Sequence, residues 1–177
     1  DSGNILKKQN FIKSITLEKN LGKGEAVKKG LIEASYDKII IFDGDMELDP
    51  KNIRQLMILD NEKKINFVLA SRFKIISPLK SIWDFGNYFF TLLFNIIHNT
   101  NLKDSLCCAK AFYKKDINPS SLISSKFDID VEIASILVKN IKYFSTIVID
   151  YNRRSKFEGK KLRISDSIYI LKRIFYY

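Results

Sequence analysis

The sequence predicts an α/β fold in one domain over residues 1–177, with a mixed but mainly parallel sheet flanked by helices. Short β-branched runs alternate with stretches of helical period along the chain, a pattern that implies right-handed crossovers and strands running mostly the same way. The apolar run at 38–42 ends abruptly in carboxylates, and ligands bind open α/β sheets at that carboxyl edge. At 177 residues and 46% hydrophobic, the chain can bury a core of the size required.

Each element has its own justification. Ile15-Thr16-Leu17 reads as a short strand, and the loop from Asn20 to Gly24 leads into a helix over 25–35. Ala26, Val27, Gly30, Leu31 and Ala34 give that helix an apolar face. The strand at 38–42 follows. Asp49 ahead of Pro50 is an N-cap with proline at the first helical position, so a helix is expected over 50–60. A strand at 66–70 comes next. Over 78–99, Trp83, Phe85, Tyr88, Phe89, Leu92, Leu93 and Ile96 recur at helical spacing. Core packing is the default reading, and aromatic residues on a basic protein also suit a membrane interface. An extended segment at 109–113, a helix over 128–139, a strand over 145–151, a basic loop over 153–163 and a helix from Ser165 complete the order.

Composition narrows the partners. Thirty Lys and Arg against 20 Asp and Glu give a formal charge of +10, which favours nucleotides, phospholipid surfaces or nucleic acid. The cysteines, Cys107 and Cys108, are adjacent, with neither metal-ligand spacing nor a framework for a stapled secreted fold, so a reducing cytoplasm fits. The single His98 lies in an apolar helical run, as a packing residue would. The first residues lack the basic and apolar regions of a signal peptide, and the apolar stretch at 85–97 is too short to span a bilayer.

The chemistry concentrates after the 38–42 strand. Residues two apart on an extended chain point the same way, so Asp43, Asp45 and Glu47 are expected to converge beyond the strand's end. Three carboxylates without His or Cys suit a hard cation, Mg²⁺ or Mn²⁺, with positions left for a nucleotide diphosphate. The bland alternative is a solvated acidic turn. Gly22-Lys23-Gly24 at a helix start offers backbone N–H groups to an anion, although a plain tight turn explains it as well. Arg72 ends the 66–70 strand at the same edge, where a guanidinium can grip phosphate, and Lys80 can add a second cation. Asp104 is a candidate base or supporting carboxylate. The loop with Arg153, Arg154, Lys160 and Lys161 reads either as a phosphate clamp or as a membrane-facing basic patch.

Several of these motifs occur in one order. Asn20-x-Gly22-Lys23-Gly24-x-Ala26, Asp43-Gly44-Asp45-Met46-Glu47-x-x-Pro50 and Ser71-Arg72-Phe73 come first. Asp104 ahead of Cys108-x-Lys110-x-Phe112, Phe127-x-x-Asp130-x-Glu132 and the Tyr151-x-Arg153 loop running to Lys161-Leu162 follow. Together they resemble family 2 glycosyltransferases, most nearly the dolichyl- and polyprenyl-phosphate sugar synthases.

That resemblance implies a Rossmann-like GT-A fold and an inverting transfer of a hexose from a nucleotide-sugar donor to a polyprenyl phosphate or related lipid acceptor. It implies Mg²⁺ or Mn²⁺ held through the Asp43-Gly44-Asp45 motif and Glu47, with Gly22, Lys23, Gly24 and Asp43 on the donor side and Asp45 and Asp104 at the catalytic centre. Arg72, Lys80, Arg153, Arg154, Lys160 and Lys161 would face acceptor or phosphate. The enzyme would sit peripherally on the inner face of the membrane, bound to its anionic surface.

The sequence departs from the family pattern at both ends. The family's first nucleotide-binding strand or strands have no counterpart here, because Asp1-Ser2-Gly3-Asn4 matches at best the tail of the second motif. The basic loop reads Glu158-Gly159-Lys160-Lys161-Leu162, without the family's serine.

Two other readings compete. A haloacid-dehalogenase-like phosphatase would use Asp43 as nucleophile and Asp45 as general acid, but Glu47 stands where that family expects Thr or Val. A non-catalytic basic module for nucleic acid would need interleaved surface aromatics or a recognised motif, and the sequence offers neither.

Overall fold

The structure, a computed structural model, describes residues 9, 11–75, 77–154 and 166–177. The chain runs α1 (Lys23–Glu33), β1 (Lys38–Ile41), the single turn α2 (Ile53–Leu56), β2 (Phe67–Ser71) and α3 (Ile82–His98). It continues with β3 (Lys110–Tyr113), α4 (Ile129–Asn140), β4 (Phe144–Val148) and α5 (Asp166–Tyr176). The sheet order is β1-β3-β2-β4. β3 is antiparallel to both β1 and β2, and β4 is parallel to β2. Three strands therefore share one direction and β3 alone is reversed, so the mainly parallel expectation holds for strand direction while the sheet is mixed in its pairing.

Burial follows position in the sheet. Every residue of the inner strands β2 and β3 is buried, whereas the edge strand β1 is exposed or half-buried. The β-branched Ile39-Ile40-Ile41 run suits a pleated surface packed on one face. The other side of β1 is unpaired among the described residues, and a groove of about 370 Å³ lies there, lined by Val27, Leu31 and Ile39 among others. Beneath the sheet, α4 buries Ile129, Val131, Ile133, Ala134 and Leu137, and α5 packs on both α3 and α4. His98 packs on Phe94 with ring centres 4.3 Å apart and the rings tilted by 39°, and meets Ser135 Oγ at 3.2 Å, the packing role its apolar run implies. Burial holds its pKa below the ordinary histidine value.

Three elements differ from their sequence reading. Ile15-Thr16-Leu17 is irregular and exposed or half-exposed, since so short a run needs a partner strand and finds none among the described residues. The helix expected over 50–60 begins as predicted, with Asp49 accepting from the Lys51 N–H at 2.9 Å and Pro50 in the first turn. It ends at Leu56, because the chain reverses at 60–65, where Asp60 and Ile65 bridge and Lys64 takes a φ of 58°. The strand expected over 145–151 ends at Val148, and Tyr151 instead bridges to Leu48.

The two glycines at the start of α1 are required by packing. Gly24 N–H donates to Ser125 O at 2.8 Å, and a Cβ on Gly24 would lie 2.3 Å from Ser124 O. A Cβ on Gly22, whose φ is +98°, would lie 2.3 Å from Ser125 O. The opposing 124–125 backbone is itself fixed, because the fully buried Glu132 carboxylate accepts from the N–H groups of Ile123 at 2.8 Å and Ser124 at 2.7 Å. Gly24→Ala should therefore lose about 1–3 kcal/mol of stability through overpacking. Gly30→Ala, where no atom beyond its own helix backbone and chain neighbours lies within 4 Å of the added Cβ, should gain about 0.5–1 kcal/mol of helix stability. Urea unfolding of both variants checks this, and a Gly24→Ala protein as stable as the parent would refute the packing account.

Candidate functional site

The shared direction of β1, β2 and β4 puts their carboxyl ends on one sheet edge. Asp43 follows β1, Arg72 follows β2, and Tyr151 to Arg154 follow β4. β3, reversed, begins at that edge with Lys110, which pairs in register with Ile41 on one side and Leu69 on the other. Asp130 comes to the same place from the first turn of α4, and Lys23 from the first turn of α1.

Beyond β1 the chain does not stay extended. Residues 44–47 bend, Met46 takes a φ of 66°, and Asp45 Oδ1 accepts the Glu47 N–H at 3.1 Å. The two-residue alternation expected to aim Asp43, Asp45 and Glu47 together therefore breaks. Asp43 turns to Lys23 Nζ at 2.7 Å, which also holds Asp130 at 2.7 Å. Asp45 and Glu47 instead share one guanidinium, Arg154, at 2.6 and 3.6 Å. The Leu48–Tyr151 bridge, the Asn152 N–H to Glu47 O bond at 2.8 Å and the Arg154 N–H to Glu47 Oε1 bond at 3.1 Å bring Arg154 there.

Among the described residues no group of three His, Cys, Asp or Glu side chains is arranged to hold a metal ion, and Asp43 stands apart from Asp45 and Glu47. The donor chemistry still fits a hard cation at Asp45 and Glu47, two carboxylates already converging on a single positive charge. Arg154 Nε is buried and, among the described residues, meets no acceptor closer than Glu47 Oε1 at 3.6 Å, so an anionic oxygen would satisfy it.

A second cluster surrounds Tyr151. Asp104 is fully buried, and Arg72 grips it with both arms: Nε to Oδ2 and Nη2 to Oδ1, each at 2.8 Å. The Arg72 N–H adds a bond to Oδ2 at 3.1 Å. The Arg72 and Arg153 guanidinium carbons lie 5.4 and 5.8 Å from the Tyr151 ring centre. Arg153 in turn holds Asp84, with Nη2 on Oδ1 and Nη1 on Oδ2 at 3.2 Å, and reaches Ser81 Oγ at 3.1 Å. Ser81 also caps α3, accepting the Asp84 N–H at 3.1 Å. The Arg153 hydrogen bond holds the Asp84 carboxyl below its usual range despite partial burial. Burial raises the Tyr151 hydroxyl above its ordinary value, opposed by the hydrogen bond from Arg153.

Of the residues singled out in the sequence, Asp43, Asp45, Glu47, Arg72, Asp104, Arg153 and Arg154 meet at this edge, as does Lys23. Burial alone would lower the Lys23 pKa, but Asp130 and Asp43 hold it well above the ordinary lysine value. Gly22 and Gly24 serve packing, and the Gly24 N–H is committed to Ser125 O, so the expected phosphate cradle is not formed by that group. Lys80 is exposed and close enough to Asp84 to lower its pKa. Lys160 and Lys161 lie outside the described residues.

The sequence pattern alone gives Asp84, Tyr151 and Asp130 no individual role. Tyr151 and Asp130 sat in the ordered motifs, and Asp84 had a signal in the Ser81-x-x-Asp84 capping spacing.

No curated protein matches the sequence. Solved structures of glucosyl-3-phosphoglycerate synthase from Mycobacterium tuberculosis share the fold. The complex with Mn²⁺, uridine diphosphate and glucosyl-3-phosphoglycerate superposes with a TM-score of 0.66 at 13% identity. The complex with Mn²⁺, UDP-glucose and phosphoglyceric acid gives 0.63 at 14%. Each match covers 92% of this chain and 56% of the synthase, so the chain spans little more than half the length of those proteins. These superpositions show a GT-A-type α/β architecture. The family model described as glycosyl transferase family 2 matches residues 2–118, and with it over most of its length the chain belongs to that family.

Proposed function

We propose that the protein transfers a hexose, with inversion, from a nucleotide-sugar to a phosphate-bearing acceptor, and that this acceptor is a polyprenyl phosphate at the cytoplasmic face of a membrane. The observation that carries the acceptor class is the state of Asp104. Both its oxygens already accept from Arg72 and it is fully buried, so it is poorly placed to remove a proton from a hydroxyl. A phosphate acceptor needs no such base, because it is anionic at neutral pH. Its oxygen forms the new bond to the anomeric carbon as the bond to the donor diphosphate breaks, and the nucleoside diphosphate leaves. Support for a site that holds a phosphate-bearing molecule beside the nucleotide-sugar comes from the synthase crystallised with UDP-glucose and phosphoglyceric acid.

In this reading Asp104 and Asp84 are positioning residues. They fix the Arg72 and Arg153 guanidiniums beside Tyr151, ready to hold the acceptor phosphate without reorganisation. Lys23 and Arg154 face the donor side. A divalent cation bound at Asp45 and Glu47, Mn²⁺ or Mg²⁺, would supply charge neutralisation of the donor diphosphate.

Calorimetric titration with a short-chain polyprenyl phosphate, its alcohol and phosphoglyceric acid, beside transfer assays to each and to a free sugar, tests the reading. The phosphates should bind and the alcohol should not. Arg153→Gln should weaken phosphate binding by about tenfold or more, the loss of one charge-assisted contact. Transfer confined to the sugar hydroxyl would overturn the proposal.

A further inference from the structure

The outward face of α3 carries no charge. Ile82, Phe85, Phe89, Leu92 and Ile96 stand 68, 53, 43, 45 and 69% exposed along this helix of 17 residues, and the Phe85 and Phe89 rings stack with centres 6.5 Å apart. Its one acidic residue, Asp84, is buried against Arg153. The loop ahead of the helix adds Ile75 and Leu79, 90 and 95% exposed, between the exposed lysines Lys74 and Lys80. Surface helices ordinarily set polar residues toward water, and a long apolar patch with a polar rim marks an interaction surface.

We propose that this face of α3, with Leu79 and Ile75 ahead of it, seats the protein on an anionic bilayer. The inference rests on the lipid-phosphate reading above and names the surface that reading requires. Charge identifies the occupant: lysines flank the apolar residues, and among the described residues of α3 and the loop ahead of it no exposed acidic side chain opposes anionic headgroups. No helix among the described residues is long and apolar enough to cross a membrane, so α3 would lie in the interface plane. Its first two turns also reach the acceptor cluster. Ser81 and Asp84 hold Arg153, and Asn87 Oδ1 meets Arg72 Nη2 at 3.4 Å. A lipid phosphate at headgroup depth would thus arrive beside the guanidiniums proposed to bind it.

Co-sedimentation with phosphatidylcholine vesicles, with and without phosphatidylglycerol, tests the surface. The parent should bind the anionic vesicles, less so as salt rises. Phe85→Glu/Leu92→Glu should cut the partition coefficient about tenfold or more, since two exposed apolar side chains that would enter the bilayer are exchanged for charges. Lys74→Glu should weaken binding to anionic vesicles alone. Ile32→Glu, on the exposed side of α1, should change nothing, and far-UV circular dichroism confirms that each variant is folded.

Unchanged binding of Phe85→Glu/Leu92→Glu would overturn the inference. So would a parent that ignores vesicles and, by light scattering, forms a dimer which that variant dissolves. If vesicle binding needs this face but polyprenyl phosphate is neither bound nor used, the acceptor reading fails alone. If polyprenyl phosphate is used and sedimentation ignores the face, the docking inference fails alone.

Discussion

Arg72→Ala is expected to cost about 3–5 kcal/mol of stability, because it strands the buried Asp104 carboxylate without its guanidinium. Burial alone would lower the Arg72 pKa, and the neighbouring Asp104 charge holds it well above the ordinary arginine value. Arg72→Leu/Asp104→Leu should recover most of the loss, since removing both charges leaves no unpaired group. Arg72→Lys should fall between, because an ammonium cannot engage both carboxylate oxygens in the fork geometry seen here. Urea unfolding of the set checks the order. Acceptor phosphate binding should stay lost in the double variant although its stability returns, which separates the structural role of the pair from its role in binding. An Arg72→Ala protein with parental stability would show that the pair is not held as described.

The path from sequence to site is uneven for physical reasons. The strands were legible because β2 and β3, apart from Ser71 and Lys110 at the site edge, are apolar or aromatic and sit inside the sheet, where burial on both faces writes itself into composition. The convergence of Asp43, Arg72 and Arg153 was legible for a related reason: strands of common direction end on a common edge. The aim of individual side chains was not. Asp43 and Asp45 are two residues apart, yet the bend after Phe42 sends one to Lys23 and the other to Arg154. A period-2 rule holds only while the chain stays extended.

Gly22 and Gly24 show a different limit. Their spacing suggests an anion loop, but the atoms that demand glycine belong to Ser124 and Ser125, about a hundred residues away in a segment no local pattern connects to them. Asp104 was visible as a carboxylate in the right order. Its complete burial and its commitment to Arg72, which turn a candidate base into a positioning residue, depend on tertiary packing alone.

The same bend gives a test of the metal assignment that treats the three carboxylates unequally. Asp45 and Glu47 converge on Arg154, whereas Asp43 is held by Lys23 within a pair that also engages Asp130. Asp45→Asn and Glu47→Gln should each reduce the affinity for Mn²⁺ by about 10–100-fold, because a site with few anionic oxygens loses much of its charge with either one. Asp43→Asn should change Mn²⁺ affinity much less and should instead loosen Lys23, lowering its pKa toward the ordinary value. Arg154→Gln should strengthen Mn²⁺ binding, since the guanidinium and the ion compete for the same two carboxylates. Calorimetric titration of Mn²⁺ into the protein, alone and with a nucleoside diphosphate, reads all four variants without requiring turnover. Equal losses in Asp43→Asn and Asp45→Asn would restore the three-carboxylate site that the sequence suggested. No loss in Asp45→Asn would remove the cation from this edge altogether.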